Sequence, residues 1–184
     1  MKIALLNDTH CGVRNNNQMF AEYQGRFYDE IFFPYLDKHN IKHIIHLGDY
    51  FDRRRDVNFY SLHKNHEHFL KPMIERDITM DLIVGNHDIY YKNTLRVNAP
   101  KELLGSYDNI TVYDEPCTVN FGGLDICFIP WICDDNYDKT LLTITQTEAT
   151  IAMGHLELNG FEAHPGHYME NGMDPSFVSK FKKV

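Results

Sequence analysis

The sequence predicts one α/β domain in which a parallel sheet carries a second, smaller sheet beside it. Three observations lead there. Four short apolar runs each finish in a turn bearing ligand-type side chains: Ile3-Ala4-Leu5-Leu6 before Asp8-Thr9-His10, Ile44-Ile45-His46-Leu47 before Gly48-Asp49, Met80 to Val84 before Gly85-Asn86-His87-Asp88, and Thr150 to Met153 before Gly154-His155. The first three runs alternate with stretches of helical periodicity, the order that builds βαβ units. From Ile110 onward the runs are short and joined by turns such as Gly122-Gly123, which calls for hairpins. With 184 residues, 43% of them hydrophobic, the chain can bury a substantial core.

In order, Lys2 to Asn7 reads as the first strand and Cys11 to Gln18 as a polar loop. Met19 to Lys38 has helical spacing through Phe20, Tyr23, Phe27, Ile31 and Tyr35, a set expected to face the core, with Pro34 kinking or ending the helix. Ile41 to Leu47 is the second strand. Asn58 to Glu75 is a second helix carrying Leu62, Phe69, Leu70 and Met73, and its His63, His66 and His68 are read as ordinary helix residues. Met80 to Val84 is the third strand and Ala99 to Tyr107 a short helix. Ile110 to Tyr113, Cys117 to Phe121 and Leu124 to Ile129 are the hairpin strands. Asn136 to Thr145 is a helix, Thr150 to Met153 a strand, Leu156 to Asn171 irregular, and Pro175 to Phe181 a short helix. Trp131 is read as a core or hinge aromatic.

Composition narrows the function. A net charge of −8 argues against nonspecific nucleic-acid binding through the whole surface and suits a site for cations. No run of 18 apolar residues suggests a membrane span, and the chain begins directly on a strand pattern, so no signal peptide is expected. The four cysteines lack CxxC spacing and are read as free thiols of a reducing cytoplasm.

The strand ends carry the chemistry. Asp8 and His10, two apart on an extended strand end, face one way. Asp49, held just past Gly48, can offer one oxygen to each of two cations. Asn86 adds a neutral oxygen and His155 an imidazole, while His87, adjacent to Asn86, points elsewhere and is free to act on substrate. Asp88 is placed to accept from an imidazole and orient it. Oxygen and imidazole donors without thiolate favour Mn²⁺, Mg²⁺, Fe²⁺ or Zn²⁺, and two such ions about 3.5–4 Å apart could share Asp49. Arg53, Arg54 and Arg55 follow directly and would clamp a phosphodiester backbone.

Taken together, Asp8-x-His10, Gly48-Asp49-x-x-Asp52, Gly85-Asn86-His87-Asp88 and Gly154-His155 resemble the first four motifs of the calcineurin-like metallophosphoesterases, in the same order. Ile129-Pro130-Trp131 and Gly154-His155-x-Glu157-Leu158-Asn159-Gly160-Phe161 are similar to the nuclease subunits of double-strand-break repair and recombination complexes, bacteriophage members included. The resemblance implies a four-layered α/β/β/α sandwich. It implies one ion on Asp8, His10 and Asp49 and a second on Asp49, Asn86 and His155, with manganese the usual metal and His87 the catalytic histidine. It also implies DNA as substrate and a coiled-coil ATPase of the SMC class as partner; a homodimer is a separate expectation. A phage member would act in the host cytoplasm.

Two departures shape the expectations. Asp52 stands where cellular members carry a histidine, so its expected role is to orient a neighbouring group. The family's last motif, Gly-His-x-His, is absent; the resemblance places it just after a segment like Phe177 to Val184. Residues 1–184 are therefore expected to form a nuclease domain without that motif or the downstream capping region, and to need a complementing segment for full activity. His164 and His167 do not match the motif in spacing or flanks. The alternatives are a phosphatase or cyclic-nucleotide phosphodiesterase on the same scaffold, or a non-catalytic fragment that binds metal or a partner.

Overall fold

Strands β1 (Ala4–Leu6), β2 (His43–His46), β3 (Thr79–Ile83) and β4 (Ile110–Tyr113) lie side by side in sequence order, all parallel. This computed structural model describes the backbone of all 184 residues and every side chain except those of Ala163, His164 and His167; any role for those two histidines falls outside the described side chains. A second sheet follows the order β5 (Cys117–Phe121), β6 (Leu124–Ile129), β7 (Ile151–Gly154). There β5–β6 is an antiparallel hairpin through Gly122-Gly123 and β6–β7 is parallel. The hairpins thus begin at Cys117, one strand later than the sequence suggests. The helix Ala99–Leu104 supplies the crossover that returns β4 parallel to β3. A small hairpin, β8 (Glu162–His164) with β9 (His167–Tyr168), occupies part of the segment expected to be irregular.

The period of two along a buried strand sets the layers. On β2, Ile44 packs towards the helices with Met80, Leu82, Phe69 and Met73. Its neighbour Ile45 joins Ile83 against Phe121, Ile126 and Phe128 of the second sheet. On the far side of that sheet, Ile144 of the helix Tyr137–Gln146 meets Cys127, Ile129 and Ala152. The result is helices, sheet, sheet, helix: the four layers expected.

Both helices on the first sheet solve the same problem. Gln18–Phe27 continues through a π turn, Tyr28–Phe32, into Phe33–His39; Phe59–Asn65 continues through a π turn, His66–Leu70, into Lys71–Glu75. A proline follows each π turn by two residues, Pro34 and Pro72. Proline lacks a donor and its ring crowds the carbonyl four residues back. The wider turn shifts the ladder so that Phe33 N–H reaches Tyr28 and Lys71 N–H reaches His66. The helices therefore run on past their prolines. The two π turns also pack together, with Phe32 and Phe69 stacked at 6.3 Å.

The face of the first helix differs from the sequence expectation. Phe20, Tyr23, Phe27, Ile31 and Tyr35 lie outside, Tyr23 and Ile31 being 57% and 60% exposed. The buried set is Tyr28, Phe32, Phe33 and Leu36. Apolar residues occur on both sides, and the π turn shifts the phase between them. Among the described residues, no helix is long and apolar enough to cross a membrane, and all four cysteines are free.

Phe69→Ala is expected to lower stability by about 3–5 kcal/mol in urea unfolding, and Tyr23→Ser by no more than about 0.5 kcal/mol. Equal losses would mean that the buried face has been misassigned.

Candidate metal centre

Each strand of the site ends in a turn that bends the backbone sharply. Asp8, His10 and Asp49 adopt φ of 50°, 43° and 52°, a left-handed conformation that costs a non-glycine residue about 1–3 kcal/mol. Hydrogen bonds between neighbouring strand ends hold them there. Asp8 N–H donates to the Gly48 carbonyl at 3.1 Å and His10 N–H to the Asp49 carbonyl at 3.0 Å. Two glycines let the turns touch. At Gly48, with φ 101°, a Cβ would lie 2.6 Å from His155 Nδ1; at Gly85 it would lie 2.3 Å from Asp49 N.

Asp49 sits at the meeting point, buried. Its Oδ1 accepts the His87 backbone N–H at 2.8 Å. Its Oδ2 lies 3.8 Å from His10 Nε2 and 3.4 Å from His155 Nε2. His10 Nε2 is also 3.6 Å from Asp8 Oδ1. Two groups of three donors result, Asp8 with Asp49 and His155, and His10 with Asp49 and His87, each within 4.8 Å. Asp49 belongs to both.

The second contacts of the imidazoles fix which nitrogen faces the centre. His155 Nδ1 lies 2.9 Å from the Leu47 carbonyl and therefore donates to it. In the neutral ring Nε2 is then an acceptor, yet it faces Asn86 Oδ1 at 2.9 Å and the Asp49 carboxylate. Three acceptors pointed at one another need a proton or a cation between them. His87 Nδ1 donates to the Asp52 carbonyl at 2.7 Å, leaving Nε2 free, and its ring meets His10 edge-on at 4.9 Å. The Asp52 carboxylate lies 3.5 Å from His10 Nδ1.

The electrostatics agree. A hydrogen bond from His10 chiefly holds the Asp8 carboxyl below its ordinary range, against partial burial. Burial works to raise Asp49, but the His155 imidazole and the His87 N–H outweigh it and keep its pKa low. The bond to Asp8 raises His10, and Asp49 raises His155 despite burial. Oxygen and imidazole donors fit a hard-to-borderline divalent ion. Thiolate is a poor candidate: burial pushes Cys11, the cysteine nearest in sequence, up to about 12.

The structure brings Asp8, His10, Asp49, Asp52, Asn86, His87 and His155 together. Asp88 behaves differently from the sequence expectation. It is fully buried and accepts no imidazole; its two oxygens take the backbone N–H groups of Phe51 and Gly85, each at 2.9 Å. Asp88 ties two strand-end turns together instead of orienting an imidazole. Arg53, Arg54 and Arg55 do not reach the centre but line a separate cleft. Arg53 pairs with Asp56 at 3.2 Å and Asn15 at 3.3 Å, and Arg55 lies over the Tyr90 ring at 5.5 Å.

Two residues have places at the site that the sequence reading did not assign. His46, counted within an apolar strand, is fully buried; its Nδ1 accepts the Gly48 N–H at 3.3 Å and its Nε2 meets Thr9 Oγ1 at 2.9 Å. Its only signal was a polar residue inside the run. Trp131 packs edge-on to His155 at 6.1 Å and walls the site.

Comparison with known proteins gives two matches. Residues 1–181 match the family model described as Calcineurin-like phosphoesterase. Exonuclease subunit 1 of Enterobacteria phage T4 is 36% identical over 184 residues, 100% of this chain and 53% of that protein. The chain thus spans about half the length of the curated relative it matches.

Burial pushes His46 down to about 3, well below its unfolded value of about 6.5. The unfolded chain therefore binds more protons across that interval, and stability falls as pH drops through it. Between about pH 7 and about pH 5 the parent is expected to lose about 1–2 kcal/mol more than His46→Gln in urea titrations. Parallel pH profiles for the two proteins would contradict a neutral, buried His46.

Proposed function

The chain belongs to the calcineurin-like phosphoesterase family, and on that basis we propose that it hydrolyses phosphodiester bonds in DNA with two divalent ions, manganese first among them. The observation that carries this reading is Asp49, common to both groups of ligand-type side chains. By the family's pattern Asp8, His10 and Asp49 would hold one ion and Asp49, Asn86 and His155 the other; in the structure Asp8 groups with His155, and His10 with His87, about the same carboxylate. Bound there, such a pair activates a water and stabilises charge on phosphorus.

The chain's own residues supply the rest. The Leu47 carbonyl fixes the tautomer of His155. Asp49 Oδ1, accepting the His87 backbone N–H, sets the position of that residue. The Asp52 carbonyl anchors His87 Nδ1, so Nε2 is the free nitrogen, and only the imidazolium form would carry a proton there for the departing oxygen. Its ring also lies close enough to His10 and Asp49 to compete as a ligand, and the experiment below separates the two roles. Asp88 is a positioning residue.

DNA is favoured over a small phosphate ester by the relative, named an exonuclease subunit, and by Arg53, Arg54 and Arg55, which follow Asp52 directly and line a separate cleft. Recombination or repair, with an SMC-class coiled-coil ATPase as partner, is the setting proposed. The exposed stripe of Phe20, Tyr23, Phe27, Ile31 and Tyr35 is apolar surface of the kind that assembly covers, by that partner or by a second copy.

With Mn²⁺, linear DNA is expected to be cut and a small phosphate monoester to be left largely intact; the reverse preference would support a phosphatase. Asp49→Asn should reduce cleavage by at least about 100-fold and weaken metal binding. His87→Ala should lose about 100-fold or more in cleavage while still binding Mn²⁺ in calorimetry. Loss of one ion in His87→Ala would make His87 a ligand.

A further inference from the structure

The turn that anchors His87 continues directly into the arginine loop: Asp52 gives its carbonyl to His87 Nδ1, and Arg53, Arg54 and Arg55 come next. Three residues beyond His87, Tyr90 closes the other side of a cleft of ≈ 250 Å³. Its walls differ in kind. Val57, Leu62, Val97, Ala99 and Leu103 offer apolar surface, and the three arginines bring cationic heads, with Asp56 and Glu102 as the opposing charges.

Three features of this cleft bear on what it could hold. Phe59, which lines it, begins a helix with 88% of its surface exposed. Tyr90 is 39% exposed, with the Arg55 guanidinium at 5.5 Å over its ring and exposed Tyr91 edge-on at 4.7 Å. Arg54 has a buried Nη1 with no hydrogen-bond partner. An unmet buried donor is costly, and a ligand oxygen would remove that cost.

Resting on the phosphodiester reading above, we infer that this cleft is a stacking subsite for an unpaired nucleobase next to the phosphate being cleaved. An aromatic ring offers any base a π face, so recognition is independent of sequence. Arg55, whose guanidinium carbon lies 5.5 Å from the Tyr90 ring centre, keeps N–H groups for a backbone phosphate. Arg54, whose Nη1 is buried without a partner, gains one by turning that nitrogen outward onto an oxygen of the same strand. A base still paired in a duplex cannot enter a recess, so the subsite selects single-stranded or frayed ends.

The test compares two short strands by fluorescence anisotropy with metal chelated, so that neither is cut: an oligothymidylate and a wholly abasic sugar-phosphate chain of the same length. The parent should bind the base-bearing strand roughly 5- to 100-fold more tightly. Tyr90→Ser should bring that ratio close to one, and Tyr90→Phe should preserve it. Phe59→Ser, at a largely exposed position, should lower the ratio without disturbing the fold. Equal binding of both strands by the parent, or an unchanged ratio in Tyr90→Ser, overturns the subsite and leaves the phosphodiester reading intact. Failure of the parent to bind or cut any DNA would overturn both.

Discussion

The fold is arranged around one buried carboxylate. Asp49 is cut off from water, and a bare charge in that position would be prohibitively costly. It is tolerable because two imidazoles and a backbone N–H gather on it. That gathering requires the ends of β1, β2, β3 and β7 to lie within a few ångströms of one another. The four-layer packing provides this by pressing two sheets face to face so that their strand ends share a rim.

The close approach explains local features that look unfavourable in isolation. Non-glycine residues in left-handed backbone at Asp8, His10 and Asp49 are strained, and Gly48 and Gly85 leave no room for a Cβ. Strain of this sort survives only where the surroundings over-determine it. Here Asp88 and His46 do so: the first clamps the turns at Phe51 and Gly85, and the second ties Gly48 to Thr9. Neither need touch a substrate, yet each fixes where Asp49 points.

Much of the centre was legible in the sequence because its grammar is local. An apolar run, then a bend, then a ligand-type side chain identifies a strand end wherever it occurs, and Asp8, His10, Asp49, Asn86, His87 and His155 are all of that form. Features that depend on distant partners were not legible. The first helix carries apolar residues on both sides, so periodicity alone could not choose between Tyr23 and Tyr28 as the buried ring. Only Pro34 and Pro72 hinted at the π turns preceding them. The partner of β4 was hidden because an apolar run of four residues fits a hairpin and a crossover equally well. Asp88 looked like an acceptor for an imidazole, and only the distant turn at Phe51 shows what its carboxylate binds.

The central claim is that Asp49 links two ions into one unit. Electron paramagnetic resonance during Mn²⁺ titration tests this directly. The account predicts that the isolated-ion spectrum gives way, near two ions per chain, to that of an exchange-coupled pair, and that Asp49→Ala abolishes the coupling. An isolated-ion spectrum at saturating Mn²⁺, indifferent to Asp49→Ala, would contradict it.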